Sequence, residues 1–388
     1  MSEQNINGVV VIEGHVQGLA NTRALGEIGI PVIVIDKHSC IARYSKYCKI
    51  FFNCPDYYTE EFISFLVNLA EREKINGWSL LPSNDHAVYN ISKNKKKLIP
   101  FYKVITPDIN IIDRIYNKCT LIKTAIDLNV PVPITYNPVS SNSIDSKFKF
   151  PVITKGIFGL SFYKKMEKKA FLAHDKKQLM DQYSVIEKEI PLSEVFTQEL
   201  IPDDGTNKTV SFTCFCIDGE IKTYWMGIKL REHPYLFGTA TYCRSVHIEE
   251  LFNPSQLLMK KLNYTGACEV EYIKDPRDQR YKLIEINART WLWVELAKRC
   301  SINFPVIIYN YLNNIPNDYK TSYQIHKDWI HFTTDIPYSF AGLLRGKYSF
   351  KDLLNSYLNF PSPAVFNIKD FAPTLAEIFL IPYFLLYR

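Results

Sequence analysis

Two carboxylates in the last third of the chain have the spacing of a shared cation site. Gly266–Ile273 reads as a strand, and so does Tyr281–Arg289. Between them lies Lys274-Asp275-Pro276-Arg277-Asp278-Gln279-Arg280, which has the residue types of a turn. A hairpin folded about Asp278 sets Glu271 opposite Glu285. Cross-strand partners have Cβ atoms about 5 Å apart, so two like charges there are destabilising unless a cation lies between them. Asn287 follows Glu285 by two residues and shares its face, as does Arg289 if the strand continues. Two carboxylates, an amide and a guanidinium on one face suit Mg²⁺ bound to phosphate oxygens. The competing reading is a solvated polar stripe, and a register slip of one residue would undo the pairing.

The elements that must position these groups follow an α/β pattern. Val9–Glu13 is a short apolar strand, Gly14–Gly18 a turn, and a helix runs on to Gly29. Pro31–Asp36, a helix at Thr59–Glu73 and a strand at Trp78–Pro82 extend the β-α-β series. The turn is not GxGxxG, so a ligand edge at the strand ends is preferred to a dinucleotide site. Ser83-Asn84-Asp85 reads first as a helix cap and second as a substrate contact. Ile111–Leu128 reads as one helix, with a boundary near Pro107. Phe150–Lys155 is a buried strand ending in lysine. Gly156, Gly159 and then Lys164, Lys165, Lys168 and Lys169 follow it. Strands are expected at Thr197–Ile201, Thr209–Ile217, Ile221–Leu230 and Ala240–Val246, with Asp218-Gly219 as a hairpin turn. Helices are expected at Phe252–Leu262 and from Trp291 through Leu296, reaching toward Tyr311.

Bulk properties narrow the class. The 388 residues suffice for two or three domains, and a net charge of +6 is mild. Lys and Arg are dispersed, and no aromatic-interleaved basic block points to nucleic acid. The nine cysteines form no CxxC pair. No signal peptide is read at Met1–Gly8, and no apolar run reaches the ~20 residues of a membrane span, so a cytoplasmic location is expected.

In order, Lys118, Pro151-Val152-Ile153-Thr154-Lys155, Gln198-Glu199-Leu200-Ile201-Pro202, Lys229-Leu230-Arg231, Glu271, Glu285, Asn287 and Arg289 resemble the ATP-grasp superfamily over roughly residues 1–315. Lys229–Pro234 followed by Phe237-Gly238-Thr239-Ala240-Thr241 is similar to its carboxylate–amine ligase branch. The resemblance implies an ATP-grasp fold behind an N-terminal Rossmann-like α/β (pre-ATP-grasp) domain. The expected units are residues 1–108, a central lobe 109–190, a C-terminal lobe 191–320 and an extension 321–388. It implies that Lys118 and Lys155 hold ATP phosphates. Gln198, Glu199, Leu200 and Ile201 would form an adenine-reading hinge. Glu271, Glu285 and Asn287 would ligate Mg²⁺, two ions with Mn²⁺ as the alternative metal. Arg289 would act on the transferred phosphoryl group. Lys229 and Arg231 would join the catalytic groups from one face of a strand, although a solvated basic face accounts for that spacing equally well. The chain departs from the family in its glycine-poor phosphate loop. It also has Trp293 where bicarbonate-activating relatives place a glutamate base.

The implied reaction joins a carboxylate to an amine through an acyl phosphate, with release of ADP and phosphate. The alternatives are a synthetase with a non-amine nucleophile, or a nucleotide-binding regulator with a decayed site. A homodimer is compatible with the sequence. The apolar tail Phe371–Arg388 reads either as packing on the body or a subunit partner, or as an interfacial membrane contact.

Overall fold

The computed structural model describes residues 7–137, 148–205, 207–234 and 238–387. Phe237, Arg388 and most of the Met1–Gly8 segment considered above lie outside that set, as does the side chain of Tyr387.

The N-terminal part runs β1 (Val9–Ile12), α1 (Val16–Gly26), β2 (Val32–Asp36), β3 (Cys48–Asn53), α2 (Glu60–Arg72), β4 (Trp78–Pro82), α3 (Asp85–Lys93), α4 (Lys95–Leu98) and β5 (Tyr102–Val104). Its five strands are parallel in the order β3-β2-β1-β4-β5. All-apolar β1, and β2, which is apolar up to its terminal Asp36, are fully buried, as a sheet covered on both faces requires. Helix α1 presses on β1 so closely that a Cβ on Gly18 would sit 2.0 Å from the Glu13 carbonyl oxygen. Asp36 ends β2 and accepts from the Gly14 N–H and the Tyr57 hydroxyl, so this acid serves the loop itself. The strand order reverses beside β1, which places the Gly14 and Ser83–Asp85 loops at the switch point.

Helices α5 (Ile109–Tyr116) and α6 (Lys118–Asp127) replace the single helix expected at 111–128. Asn117 leaves the helical region at φ −76°, ψ 100°, and its side chain caps the Thr120 N–H at 2.9 Å. This break starts a new helix at Lys118. A four-stranded sheet follows in the order β6-β9-β7-β8. It comprises β6 (Thr135–Tyr136), β7 (Val152–Gly156), β8 (Phe171–Ala173) and β9 (Val195–Glu199), with α7 (Gly159–Met166) and α8 (Lys176–Ile186).

The third sheet has seven strands in the order β14-β13-β10-β11-β12-β15-β16. These are β10 (Thr209–Ile217), β11 (Glu220–His233), β12 (Thr239–Ser245), β13 (Gly266–Lys274), β14 (Tyr281–Asn287), β15 (Asp328–Ile330) and β16 (Ser362–Pro363). Helix α9 (Phe252–Leu262) covers the Val210, Phe212, Cys214, Val270 and Tyr272 face. On the other face the helical stretch from Trp291 is two helices, α10 (Val294–Arg299) and α11 (Phe304–Leu312), interrupted at 300–303. Their Trp291, Trp293 and Phe304 pack with Trp225 and with α1 residues in one core that joins the N-terminal part to this sheet. The chain closes with α12 (Phe332–Leu344), α13 (Phe350–Leu358) and α14 (Ala372–Tyr387). Residues 328–330 and 362–363 therefore extend the main sheet.

Candidate functional site

Alternation along β13 and β14 brings the acids together. Glu271 pairs with Glu285 and Glu269 with Asn287. Nearer the turn the partners are Tyr272 and Leu283, one residue out of step, and a bulge beside Glu271 restores the acidic register. Each acid is met by a different base. Lys118 Nζ lies 2.8 Å from Glu285 Oε2, and Lys229 Nζ lies 2.8 Å from Glu271 Oε1. Asn287 Nδ2 donates to Glu269 Oε2 at 3.1 Å and reaches Glu285 Oε1 at 3.5 Å.

The electrostatics follow from this packing. The Lys118 charge, reinforced by its hydrogen bond and by Lys155 and Lys229, holds Glu285 well below the usual carboxylate range despite burial. Burial would lower Lys229, but the charges of Glu271 and Glu269 raise it above an ordinary lysine. Burial, offset in part by Glu285, brings Lys155 down to about 8. Glu269, almost fully buried, is pushed up to about 7 by desolvation and by the Glu271 charge, against Lys229 and a 2.7 Å bond from Ser211.

Lys118, Lys155, Gln198 and Glu285 line one narrow cleft, with Leu121, Ile122, Phe196 and Leu283 as its apolar walls. The hinge segment departs from expectation in part. The Glu199 and Leu200 N–H groups already donate to the Ile134 and Pro151 carbonyls at 2.9 and 3.0 Å, so in this structure they are not available to read a base. The Glu199 carboxylate turns to Arg277 of the β13–β14 connection and to Lys282 of β14. Ile201 is buried just beyond the strand end.

Arg289 forms a two-point pair with Asp85, at 2.9 and 2.8 Å. Asp85 raises it above an ordinary arginine, although burial acts the other way. Asn84 caps α3, accepting from the His86 and Ala87 N–H groups, so the Ser83–Asp85 segment both caps a helix and touches the site. Asn21 bridges the Ser83 and Thr290 hydroxyls at 3.0 Å each, which ties the switch point to the end of β14.

Arg231 does not join the cluster. The β11–β12 pairing is irregular on both sides of it, and its guanidinium binds both oxygens of Asp335 at 2.8 and 2.7 Å and the Ser356 hydroxyl at 3.0 Å. The buried acid that claims it lies in α12, so the shared face expected for Lys229 and Arg231 gives way to a structural ion pair. In the Gly238–Thr241 remainder of its neighbouring stretch, the Thr241 hydroxyl also goes to Asp335. Lys164 lies 4.4 Å over the Tyr58 ring of the N-terminal part.

Sequence reasoning missed Glu269, and it read Asp85 as a cap or a substrate contact but not as the partner of Arg289. The first was within reach, because Glu269 shares the face of Glu271 by the same two-residue rule that linked Asn287 to Glu285. Asp85 is 204 residues from Arg289 and carries no local signal.

No group of three or more His, Cys, Asp or Glu that could hold a metal converges among the described residues. The donors present are hard oxygens on one sheet face. They fit a magnesium that shares its ligands with phosphate and do not form a closed protein cage.

The model of the carbamoyl-phosphate synthase large chain ATP-binding domain matches residues 240–301, which contain the acidic hairpin. The structure superposes on a biotin carboxylase from Campylobacter jejuni with a TM-score of 0.66, 14% identity, and coverage of 84% of this chain and 74% of that one. The chain has the ATP-grasp fold. This ATP-grasp fold also matches an L-amino acid ligase from Bacillus licheniformis, with a TM-score of 0.61 and 14% identity over 79% of this chain and 74% of that one. Among curated proteins, the D-aspartate ligase of Enterococcus faecium (strain Aus0004) is 25% identical over 242 residues, covering 59% of this chain. The chain spans 58% of that relative's length.

Proposed function

We propose that this protein is an ATP-dependent carboxylate–amine ligase that forms an amide through an acyl phosphate and releases ADP and phosphate. The carrying observation is the row of opposed charges along β13 and β14: Glu285 with Lys118 and Lys155, and Glu271 with Lys229, with Asn287 reaching Glu285 and Arg289 just past the strand end. The likeness to a D-aspartate ligase supports an amino acid as one substrate class.

The apolar walls Leu121, Ile122, Phe196 and Leu283 suit the two faces of a purine. Lys118 and Lys155 would hold phosphate oxygens, and Arg289 a planar pair of oxygens on the transferred group. Glu271, Glu285 and Asn287 would hold Mg²⁺, in two ions, which supplies charge neutralisation at the phosphates. Without nucleotide, Lys118 and Lys229 neutralise those same carboxylates, so the acids are stable on one face before any cation arrives. The Asp85–Arg289 pair lies where the N-terminal switch point meets β14, and we place the acyl acceptor there. Closing the lobes over the cleft would protect the mixed anhydride from water.

A bicarbonate-activating role is disfavoured by Trp293. It is buried edge-on against Trp225 at 5.3 Å, beneath Gly227, whose Cβ would collide with it, so a core aromatic stands where a base would be needed.

The test is ATP turnover by the full chain with Mg²⁺ and single or paired amino acids, D-aspartate included. ADP and phosphate are quantified by anion-exchange chromatography and the product by mass spectrometry. Amine-stimulated ADP release with a condensed product is expected. AMP with pyrophosphate, or nucleotide binding without substrate-stimulated turnover, would overturn the proposal.

A further inference from the structure

We infer that the C-terminal segment 332–381 is a docking platform for an anionic lipid bilayer surface. The inference rests on how its three helices are turned, and it is independent of the reaction assigned above.

Each helix presents its apolar stripe outward. In α12 the buried residues are Asp335, Ser339 and Gly342, whereas Phe332, Ile336, Phe340 and Leu344, spaced by four, are exposed. Residues four apart share one helix face, so these form a single stripe. In α13, Leu353 and Ser356 point inward and Phe350, Leu354 and Leu358 form the exposed stripe. In α14, Ala376 and Glu377 are buried while Leu375, Ile378 and Phe379 are exposed. The connections add Phe360 at 89% exposure and Ile368 at 83%. Isolated exposed apolar residues need no explanation, but stripes of four and three on successive helices mark a surface that something covers.

The charges select the partner. Of the four acids in the segment, three are buried against bases: Asp335 on Arg231, Asp370 on Arg23 and Glu377 on His331. Exposed Arg345, Lys351 and Lys369 remain, with Asp352 as the exposed acid. Turning acids inward and bases outward around aromatic and aliphatic stripes suits anionic headgroups over acyl chains. A second copy is a poorer match, because a two-fold contact would set these cations against their own counterparts. No helix among the described residues is long and apolar enough to cross a membrane, so the contact would lie in the interface. Helix α14 itself docks on the body through Tyr383, which reaches His38, and through the Glu377–His331 pair, leaving its other side outward.

Vesicle flotation of the full chain tests this. Phosphatidylcholine vesicles are compared with vesicles that also contain phosphatidylglycerol. Flotation on the anionic vesicles is expected. Phe340→Ser with Leu344→Ser, and separately Arg345→Glu with Lys351→Glu, should each lower partitioning by about tenfold or more, with unchanged thermal melts because all four side chains are exposed. Failure to float, or equal flotation on neutral vesicles, overturns the inference. So does a concentration-dependent dimer in light scattering without vesicles that Phe340→Ser with Leu344→Ser abolishes, because the occupant is then a second copy.

Discussion

Glu271 and Glu285 stand directly across the β13–β14 pair, and each is neutralised by a lysine from a different part of the chain. The repulsion expected of two facing carboxylates is thus already relieved before any metal binds. Glu285→Gln should therefore lower the stability of the free protein by roughly 1 kcal/mol, a modest cost because Lys118 and Glu285 keep contact with water. The same change should remove Mg²⁺-dependent turnover. Urea unfolding of Glu285→Gln, Lys118→Met and the double variant gives the coupling, and no coupling would mean the pair is ornamental in solution.

Arg289→Lys should cut kcat by about tenfold or more while ATP affinity stays within about threefold, because an ammonium cannot reproduce a two-point clamp. The fork that now grips Asp85 has the geometry needed for two phosphoryl oxygens. Titration calorimetry for affinity and rapid quench for turnover separate the two. An unchanged kcat removes Arg289 from the phosphoryl-transfer assignment.

Lys155 should take up a proton when nucleotide binds. Burial holds its pKa at about 8 in the free protein, and a phosphate anion beside it would favour the charged form. At pH 8 about half the population is neutral, so binding should take up about half a proton. Binding enthalpies measured in buffers of different ionisation heat report that uptake, and Lys155→Arg should abolish it. Proton release on binding would contradict the assignment of Lys155 to phosphate.

The legible part of this molecule was what local rules control. Two-residue alternation and a turn-rich connection placed Glu271 opposite Glu285, although the register is kept by a bulge that no residue type announced. Asn117 could cap a helix, yet only its contact region, where Lys118 N–H meets the Ile157 carbonyl, shows why one helix became two. The pairings of Asp85 and Asp335 were unreadable for a different reason. Their partners lie 204 and 104 residues away, and an acid at such a distance leaves no trace near the arginine it will hold. Arg231 was therefore grouped with Lys229 by the family resemblance, which spacing could neither support nor oppose.

Glu269→Gln should stabilise the free protein at alkaline pH and have little effect near pH 5. The folded pKa of about 7 lies above that of an unfolded glutamate, so the native state binds more protons between about 4.5 and 7. Stability from this group is present below the unfolded value and is lost as pH rises through the folded one. Neutral glutamine avoids that loss and can still accept from Ser211. Thermal melts of both proteins across pH 4–8.5 should diverge between about pH 4.5 and 7 and keep a constant gap above that, and curves that do not diverge would show that Glu269 ionises normally.

Arg231→Met should damage the fold and spare the chemistry. Its guanidinium is buried against Asp335 and stacks 4.2 Å over the Tyr242 ring, so truncation leaves an uncompensated acid beside Tyr357 and Thr241. Breaking a buried pair from one side costs about 3–5 kcal/mol. Replacing both partners, as Arg231→Met with Asp335→Leu, should recover much of that loss, because the desolvated charge is then gone. The folded fraction of either variant should keep kcat within about twofold of wild type, measured per active site by nucleotide titration. A large fall in kcat with unchanged urea stability would return Arg231 to the catalytic groups and would mean that the Asp335 pair opens during turnover.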